Sequence, residues 1–277
     1  TADWRFADEV DAQARWGLFI SWPAPGCGRG SSVPDFTTGE GVNVMRASQV
    51  RSAAWAMRTI INAAAVATDQ ATEKLWRDIA NSNFRWQLGQ WPVWQAAFGE
   101  AAGTYQHAEG YNYDGALVAP PTGIAPWQHD FAVQAHAMAV RLGLPDARAA
   151  MWQRRGWIVG RFLAGAQGFD PRDGVAYGVL RGDPATGSVY KTWAAIGDAM
   201  RRQDAANPGF SNASNPPWRA SNGYYGALGI ASLCLWTQVF PDDTEARQAL
   251  AWLRSAGAPQ TDAAAMAGML NFAFRAG

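Results

Sequence analysis

The chain has 277 residues, of which 48% are hydrophobic and 17% are charged, a composition typical of a globular protein with a large core. Lys and Arg together number 23, as do Asp and Glu, so a formal net charge of zero gives no electrostatic reason to expect nucleic acid as a partner. The longest apolar runs, such as 226–236, are too short to cross a bilayer, and we expect no membrane insertion.

Apolar residues recur at helical spacing along most of the chain. Pro92 is expected to separate one helix from a short helix ending near Phe98, and Asp242 with Glu245 predicts a capping box before a later helix. The predicted helices span residues 3–19, 46–68, 70–88, a short segment ending near 98, 126–143, 146–165, 188–204, 221–240, 243–254 and 261–275.

The links between these helices alternate in length over the first part of the chain. Residues 20–45, 101–125 and 166–187 form long links rich in Gly, Pro and aromatic residues, and 175–181 predicts one arm of a small hairpin. In an antiparallel stack alternate links emerge at the same end, so we expect the long loops to share one face and to be functional.

The expected fold is therefore all-α: stacked antiparallel helical hairpins in a partial or incomplete α/α toroid, forming one domain over residues 1–277. The chain begins with Thr1 just before a helical pattern and stops at Gly277 within or just after one. We therefore expect it to be an excerpt of a longer protein, with the rest of that polypeptide as a partner.

Tryptophan is unusually abundant, with 15 copies. Flat aromatic faces stack on the C–H faces of sugars, although the same rings also fill protein cores. Tryptophans inside helices are expected to be core residues, whereas Trp127 and Trp218 lie in or beside Pro-rich segments and are candidates for binding sugar. Asn222 is a further candidate for binding hydroxyls, with turn formation as the alternative.

The candidate reacting groups lie in Gly110-Tyr-Asn-Tyr-Asp-Gly115 and in Ala125-Pro-Trp-Gln-His-Asp-Phe131. Asp114, His129 and Asp130 are expected to meet in one cleft as acid and base groups, with Tyr113 as a donor and Tyr111 in substrate binding. The helix start should keep Asp130 ionised. Such a set suits glycoside hydrolysis by two carboxylates or elimination beside a uronate carboxylate. The alternative is that His129 and Asp130 merely favour the helix start.

Arg51 and Arg58 lie seven residues apart on one face of the helix 46–68. Two arginines on an alanine-rich face are candidates for binding a substrate carboxylate, with structural ion pairs as the alternative. The three histidines show no metal-ligand spacing with either cysteine, so neither a metal nor another cofactor is expected.

The segments Val50-Arg-Ser-Ala-Ala-Trp-Ala-Met-Arg-Thr-Ile60 and Ala125-Pro-Trp-Gln-His-Asp-Phe131 resemble a family of large, functionally uncharacterised proteins from bacterial and phage genomes, over about residues 45–165. That resemblance implies no established activity. More distantly, the arrangement resembles the α/α-toroid domains of polysaccharide lyases and six-hairpin glycosidases, which implies a carbohydrate-handling fold.

Together these features predict a domain that binds, and in one hypothesis cleaves, an extracellular or cell-surface polysaccharide, by lyase or hydrolase chemistry. The alternative is a non-catalytic structural or glycan-binding module of a phage virion or other large assembly. A helical scaffold for protein partners is a third hypothesis. The sequence does not fix the location, and we favour an extracellular, cell-surface or virion-associated one.

Overall fold

A computed structural model describes residues 4–21, 44–45, 50–104, 110–111, 117–118, 123–183, 185–212 and 223–256. These residues are mostly helical, which confirms the all-α prediction. None of the described helices is long and apolar enough to cross a bilayer. The α-helices are α1 (Trp4–Ser21), α2 (Val50–Val66), α3 (Gln70–Phe98), α4 (Pro126–Arg141), α5 (Ala147–Trp152), α6 (Arg155–Ile158), α7 (Trp193–Ala206), α8 (Gly223–Val239) and α9 (Thr244–Ser255).

Four strands of two residues each form two small antiparallel pairs: β1 (Gly110–Tyr111) with β2 (Leu117–Val118), and β3 (Gly123–Ile124) with β4 (Val179–Leu180). The predicted hairpin arm 175–181 contains β4. Its partner is β3, with Gly123 opposite Leu180, so the pairing joins two of the long loops predicted to share a face. The toroidal arrangement of the helices stays a prediction.

The chain divides into two compact units, each made of two separate stretches of sequence. The first unit contains Thr1–Pro92 and Ala132–Gln153, and the second contains Val93–Phe131 and Arg154–Gly277. Both α3 and α4 begin in one unit and end in the other. The single domain expected from the sequence stays a prediction.

Polar side chains as well as apolar packing connect the helices of the first unit, in which α1 packs on α2. The indole of Trp76, in α3, donates to the Asp11 carboxylate of α1 at 2.7 Å. Gln87 of α3 donates to the Ala150 carbonyl at 2.6 Å, and its oxygen lies 2.9 Å from Nε2 of His136 in α4. Because Gln87 and His136 are buried, these bonds favour one arrangement of the helices within this unit.

In the second unit, α8 is apolar around most of its circumference, and most of its described residues are buried. A helix of this kind must have neighbours on several sides. One neighbour is α9, which packs on α8 across the short link 240–243. The two helices form a hairpin, in agreement with the predicted pattern of helical hairpins.

Asp243 begins α9 and joins it to two other parts of the second unit. Its carboxylate accepts from the Ala246 amide at 3.1 Å, from the Trp236 indole at 3.0 Å and from two guanidinium nitrogens of Arg155 at 2.8 and 2.9 Å. Burial alone raises the pKa of Asp243, but these bonds outweigh burial and hold its pKa below the ordinary value. The predicted cap, Asp242, is wrong by one residue and is exposed.

Two predicted helix boundaries are also wrong. α3 runs without interruption through Pro92, whose side chain is exposed. On an exposed side of a helix, water can satisfy the carbonyl that loses its backbone donor at a proline. The boundary between the two units falls directly after Pro92.

The predicted helix 146–165 is instead broken into α5, α6 and short 3-10 turns. Glycines in this stretch let neighbouring segments approach its backbone closely, and larger residues at these positions would prevent that approach. A Cβ atom on Gly156 would lie 2.5 Å from the Ala102 carbonyl oxygen, and one on Gly160 would lie 3.2 Å from the Trp193 ring. The same glycines weaken the α-helix itself.

Candidate functional site

Three predicted site residues, Trp127, His129 and Asp130, lie in the first turns of α4. Pro126 is the first residue of this helix, where its fixed φ angle suits the helix and its missing N–H removes no helical hydrogen bond. β3 ends at Ile124, which lies opposite Val179 of β4. The antiparallel pairing therefore fixes where the chain enters α4.

Asp130 forms a buried ion pair with Arg161. Nη2 of Arg161 donates to Oδ1 of Asp130 at 2.5 Å, and the two side chains are 0% and 1% exposed. The same guanidinium donates to the Pro126 carbonyl at 3.4 Å. This pair ties the first turn of α4 to the 3-10 turn Gly160–Phe162 and gives Asp130 a structural partner.

Burial raises the pKa of the Asp130 carboxyl, and the Arg161 guanidinium together with the nearby Ser232 hydroxyl opposes that rise without cancelling it. We expected the helix start to dominate and to favour the ionised form. Desolvation dominates instead because the whole side chain is removed from water. Whether Asp130 acts as a base stays a prediction.

His129 is fully buried and has an edge-to-face contact with Trp157, with ring centroids 6.4 Å apart. Burial lowers the pKa of His129 well below its ordinary value, and the positive charges of Arg154, Arg161 and Arg181 lower it further. The imidazole is therefore neutral at physiological pH. A neutral imidazole can accept a proton only against this unfavourable field.

Three buried arginines next to His129 are absent from the predicted site. Arg154, Arg161 and Arg181 are each 1% exposed or less. Arg181 donates to the Ala101 carbonyl at 3.0 Å, and Arg154 donates to the Gly103 carbonyl at 3.3 Å. One sequence signal could have indicated them: Arg161 and Arg181 both follow apolar runs, Trp157-Ile-Val-Gly and Val179-Leu. Charged residues in such surroundings are rarely accidental.

An aromatic cluster adjoins the start of α4 and consists of Trp127, Tyr177 and Tyr225. Trp127 stacks on Tyr225 with ring centroids 5.5 Å apart and an interplanar angle of 16°. Tyr177 lies 6.3 Å from Trp127 and 6.0 Å from Tyr225, and it is 43% exposed. The cluster gathers residues from α4, from the loop 166–187 and from α8. Trp127 is a predicted site residue, whereas the two tyrosines are additions.

Arg51 and Arg58 are half-buried on α2, in the first unit. The guanidinium carbon of Arg51 lies 5.4 Å from the centroid of the Trp55 ring, a cation–π contact within one helical turn. Their predicted role in binding a substrate carboxylate stays a prediction.

The remaining predicted site residues fall partly or wholly outside the described residues. Tyr111 is described only as part of strand β1. Tyr113, Asp114, Trp218 and Asn222 lie outside the described ranges, so the predicted meeting of Asp114 with Asp130 stays a prediction.

Within the part of the chain that the structure describes, no group of three or more His, Cys, Asp or Glu side chains is arranged to hold a metal ion. Comparisons of the chain with protein-family models, with curated proteins and with solved structures found no significant match. The resemblances suggested by the sequence therefore stay predictions, and function must be argued from the residues themselves.

Proposed function

We propose that this chain is a carbohydrate-active domain that binds an extracellular or cell-surface polysaccharide at the aromatic cluster of Trp127, Tyr177 and Tyr225. The observation that carries the proposal is the partial exposure of Tyr177 beside the stacked pair of Trp127 and Tyr225. Aromatic rings with one apolar face and a polar edge suit the C–H faces and hydroxyls of a sugar.

The support behind the exposed ring favours a prepared binding surface. Trp127 packs edge-to-face on Phe131, with centroids 5.9 Å apart, and is itself almost buried. Tyr225 is half-buried, so burial increases from Tyr177 through Tyr225 to Trp127. A rigid base limits the loss of side-chain freedom on binding, which is a main cost of association.

Cleavage of the polysaccharide is the further part of this proposal, with Asp114, His129, Asp130 and Tyr113 as the reacting groups. Hydrolysis would need one protonated and one ionised carboxyl, and elimination would need a base and a cation for the uronate carboxylate. The raised pKa of Asp130 suits an acid better than a base.

A non-catalytic glycan-binding or structural module, in a virion or another large assembly, is the second candidate. The ion pair between Asp130 and Arg161 favours this function, because a carboxylate engaged in a buried pair is poorly placed to exchange protons with a substrate. In such a module the aromatic cluster would bind the glycan, and Asp130 would only stabilise the fold.

The test is a glycan array probed with the full chain, followed by titration of the strongest polysaccharide ligand. Tyr177→Ala should weaken binding by about 5- to 150-fold, since stacking on one aromatic ring contributes about 1–3 kcal/mol. Trp152→Ala is the matched control, because Trp152 is a similarly exposed aromatic residue at 47%. Equal affinity of Tyr177→Ala and the unaltered chain would refute the proposed surface.

Incubation of the chain with the same polysaccharide distinguishes a cleaving domain from a non-catalytic module. New reducing ends without unsaturated uronate indicate hydrolysis, and reducing ends together with unsaturated uronate indicate elimination. Loss of either activity in Asp114→Asn, with binding retained, would support the proposed reacting groups. Binding without any new reducing ends would support the non-catalytic module.

A further inference from the structure

Arg181 is a fully buried cation, and the described structure provides no carboxylate for it. Nη1 of its guanidinium donates to the Ala101 carbonyl, while Nε and Nη2 have no acceptor among the described residues. Burial lowers the pKa of Arg181 to about 9, because removal from water disfavours the charged form. A buried guanidinium is normally paired with a carboxylate or another anion.

Two further buried donors without an acceptor belong to Trp157, whose ring Arg181 contacts, and to Arg161, which contacts the same ring. The guanidinium carbons of Arg181 and Arg161 lie 5.5 and 5.9 Å from the ring centroid of Trp157. Nε of Arg161 and Nε1 of Trp157 are both buried and have no hydrogen-bond partner. Arg161 already has Asp130 as its counter-charge through Nη2, so Asp130 does not account for Nε or for Arg181.

We propose that Arg161, Arg181 and the indole of Trp157 form an interior site for one small oxyanion, of the class of sulfate, phosphate or a free carboxylate. The proposal is independent of polysaccharide binding. Every unsatisfied atom named here is a donor, and guanidinium groups match the geometry of oxyanions with two or more parallel hydrogen bonds. Water is a weaker match, because it must also donate and it brings no negative charge.

The net charge around His129 agrees with this assignment. Arg154, Arg161 and Arg181 all act on the imidazole of His129 as positive charges, while Asp130 is paired with Arg161. An oxyanion would balance the charge of Arg181, for which the described residues provide no carboxylate, without entering the polysaccharide surface. Because the three arginines are at most 1% exposed, the ligand is a small free ion and not an internal unit of a polymer.

The test measures thermal unfolding of the full chain in chloride buffer and then with added phosphate or sulfate at constant ionic strength. Binding to the folded state should raise Tm by about 5 °C when the anion is present at about 100 times its Kd. Isothermal titration with inorganic phosphate should give one site per chain. A wild-type chain that shows no saturable phosphate or sulfate binding up to tens of millimolar overturns the proposal.

Arg181→Gln should abolish the saturable rise in Tm, and Arg85→Gln should retain it, since Arg85 is an exposed arginine in a surface ion pair. Sulfate also stabilises proteins nonspecifically, and that part should be equal in all variants. An equal response in Arg181→Gln and wild type shows an adventitious effect only and overturns the site.

Discussion

Asp130 and Arg161 form an ion pair that is buried from water, with Oδ1 of Asp130 2.5 Å from Nη2 of Arg161. Two charges removed from water cost several kcal/mol each, and their mutual attraction offsets that cost only while both are present. Each residue therefore depends on the other more strongly than surface partners do.

Asp130→Asn should lower the free energy of unfolding by about 3–5 kcal/mol, because Arg161 would be left buried without its counter-charge. Urea denaturation followed by circular dichroism measures this loss. Asp198→Asn is the control, because Asp198 pairs with Arg201 at the surface and should cost no more than about 1 kcal/mol. Similar losses for both variants would show that the buried pair contributes no more to stability than a surface pair. Adding Arg161→Met to Asp130→Asn should restore part of the lost stability, because it removes the buried unpaired charge.

His129 should make the protein lose stability as the pH falls below about 6.5. Burial and three arginines hold the pKa of folded His129 well below its ordinary value of 6.5, so below that pH the unfolded chain binds a proton that the folded chain refuses. The stability is present above 6.5, and the loss has a limiting slope of about 1.4 kcal/mol per pH unit. Urea unfolding at several pH values tests this. His129→Gln should flatten the profile, and an unchanged slope in that variant would exclude His129 as its origin.

Asp243→Ala should destabilise the protein by about 2–4 kcal/mol, because it removes the cap of α9 and the buried partner of Arg155 and Trp236. Its neighbour provides a close control. Asp242 is exposed, and Asp242→Ala should change the unfolding free energy by no more than about 0.5 kcal/mol. Chemical denaturation of the two variants should rank them in this order, and the reverse order would place the cap at Asp242.

Two glycines should respond to alanine with opposite signs. A Cβ atom on Gly197 of α7 would lie 2.0 Å from the Gly168 carbonyl oxygen, so Gly197→Ala must displace backbone and should cost at least about 2 kcal/mol. A Cβ atom on Gly89 of α3 would meet nothing within 4 Å, and Gly89→Ala should stabilise the helix by about 0.5–1 kcal/mol. Differential scanning fluorimetry distinguishes the two, and a lower Tm for Gly89→Ala would contradict the second expectation.

Features set by local sequence could be predicted well. The apolar faces of α2 and α9 have helical spacing, and burial follows that spacing. The ends of helices were harder to predict, because starting a helix at one residue or at the next differs little in free energy. Asp242 and Asp243 can each cap a helix, and the bonds from Arg155 and Trp236 that select Asp243 come from other parts of the chain.

Pairings between distant residues could not be predicted from spacing. His129 and Asp130 were singled out by their position at a helix start, whereas Arg161 and Arg181 acquire their importance only from being packed beside them. Only one residue of the aromatic cluster was predicted, because the other two join it through contacts between distant parts of the chain. Trp127 stands out beside Pro126, but Tyr177 and Tyr225 join it through the pairing of β3 with β4 and the packing of α8.

The discontinuous units constrain the order in which the chain can fold during synthesis. The first unit needs Ala132–Gln153, which the ribosome makes only after Val93–Phe131, the opening stretch of the second unit. The first unit therefore cannot be completed while the nascent chain ends before residue 153. Until then, its apolar helix faces must be shielded by transient collapse or by chaperones, as exposed surfaces of this kind favour aggregation.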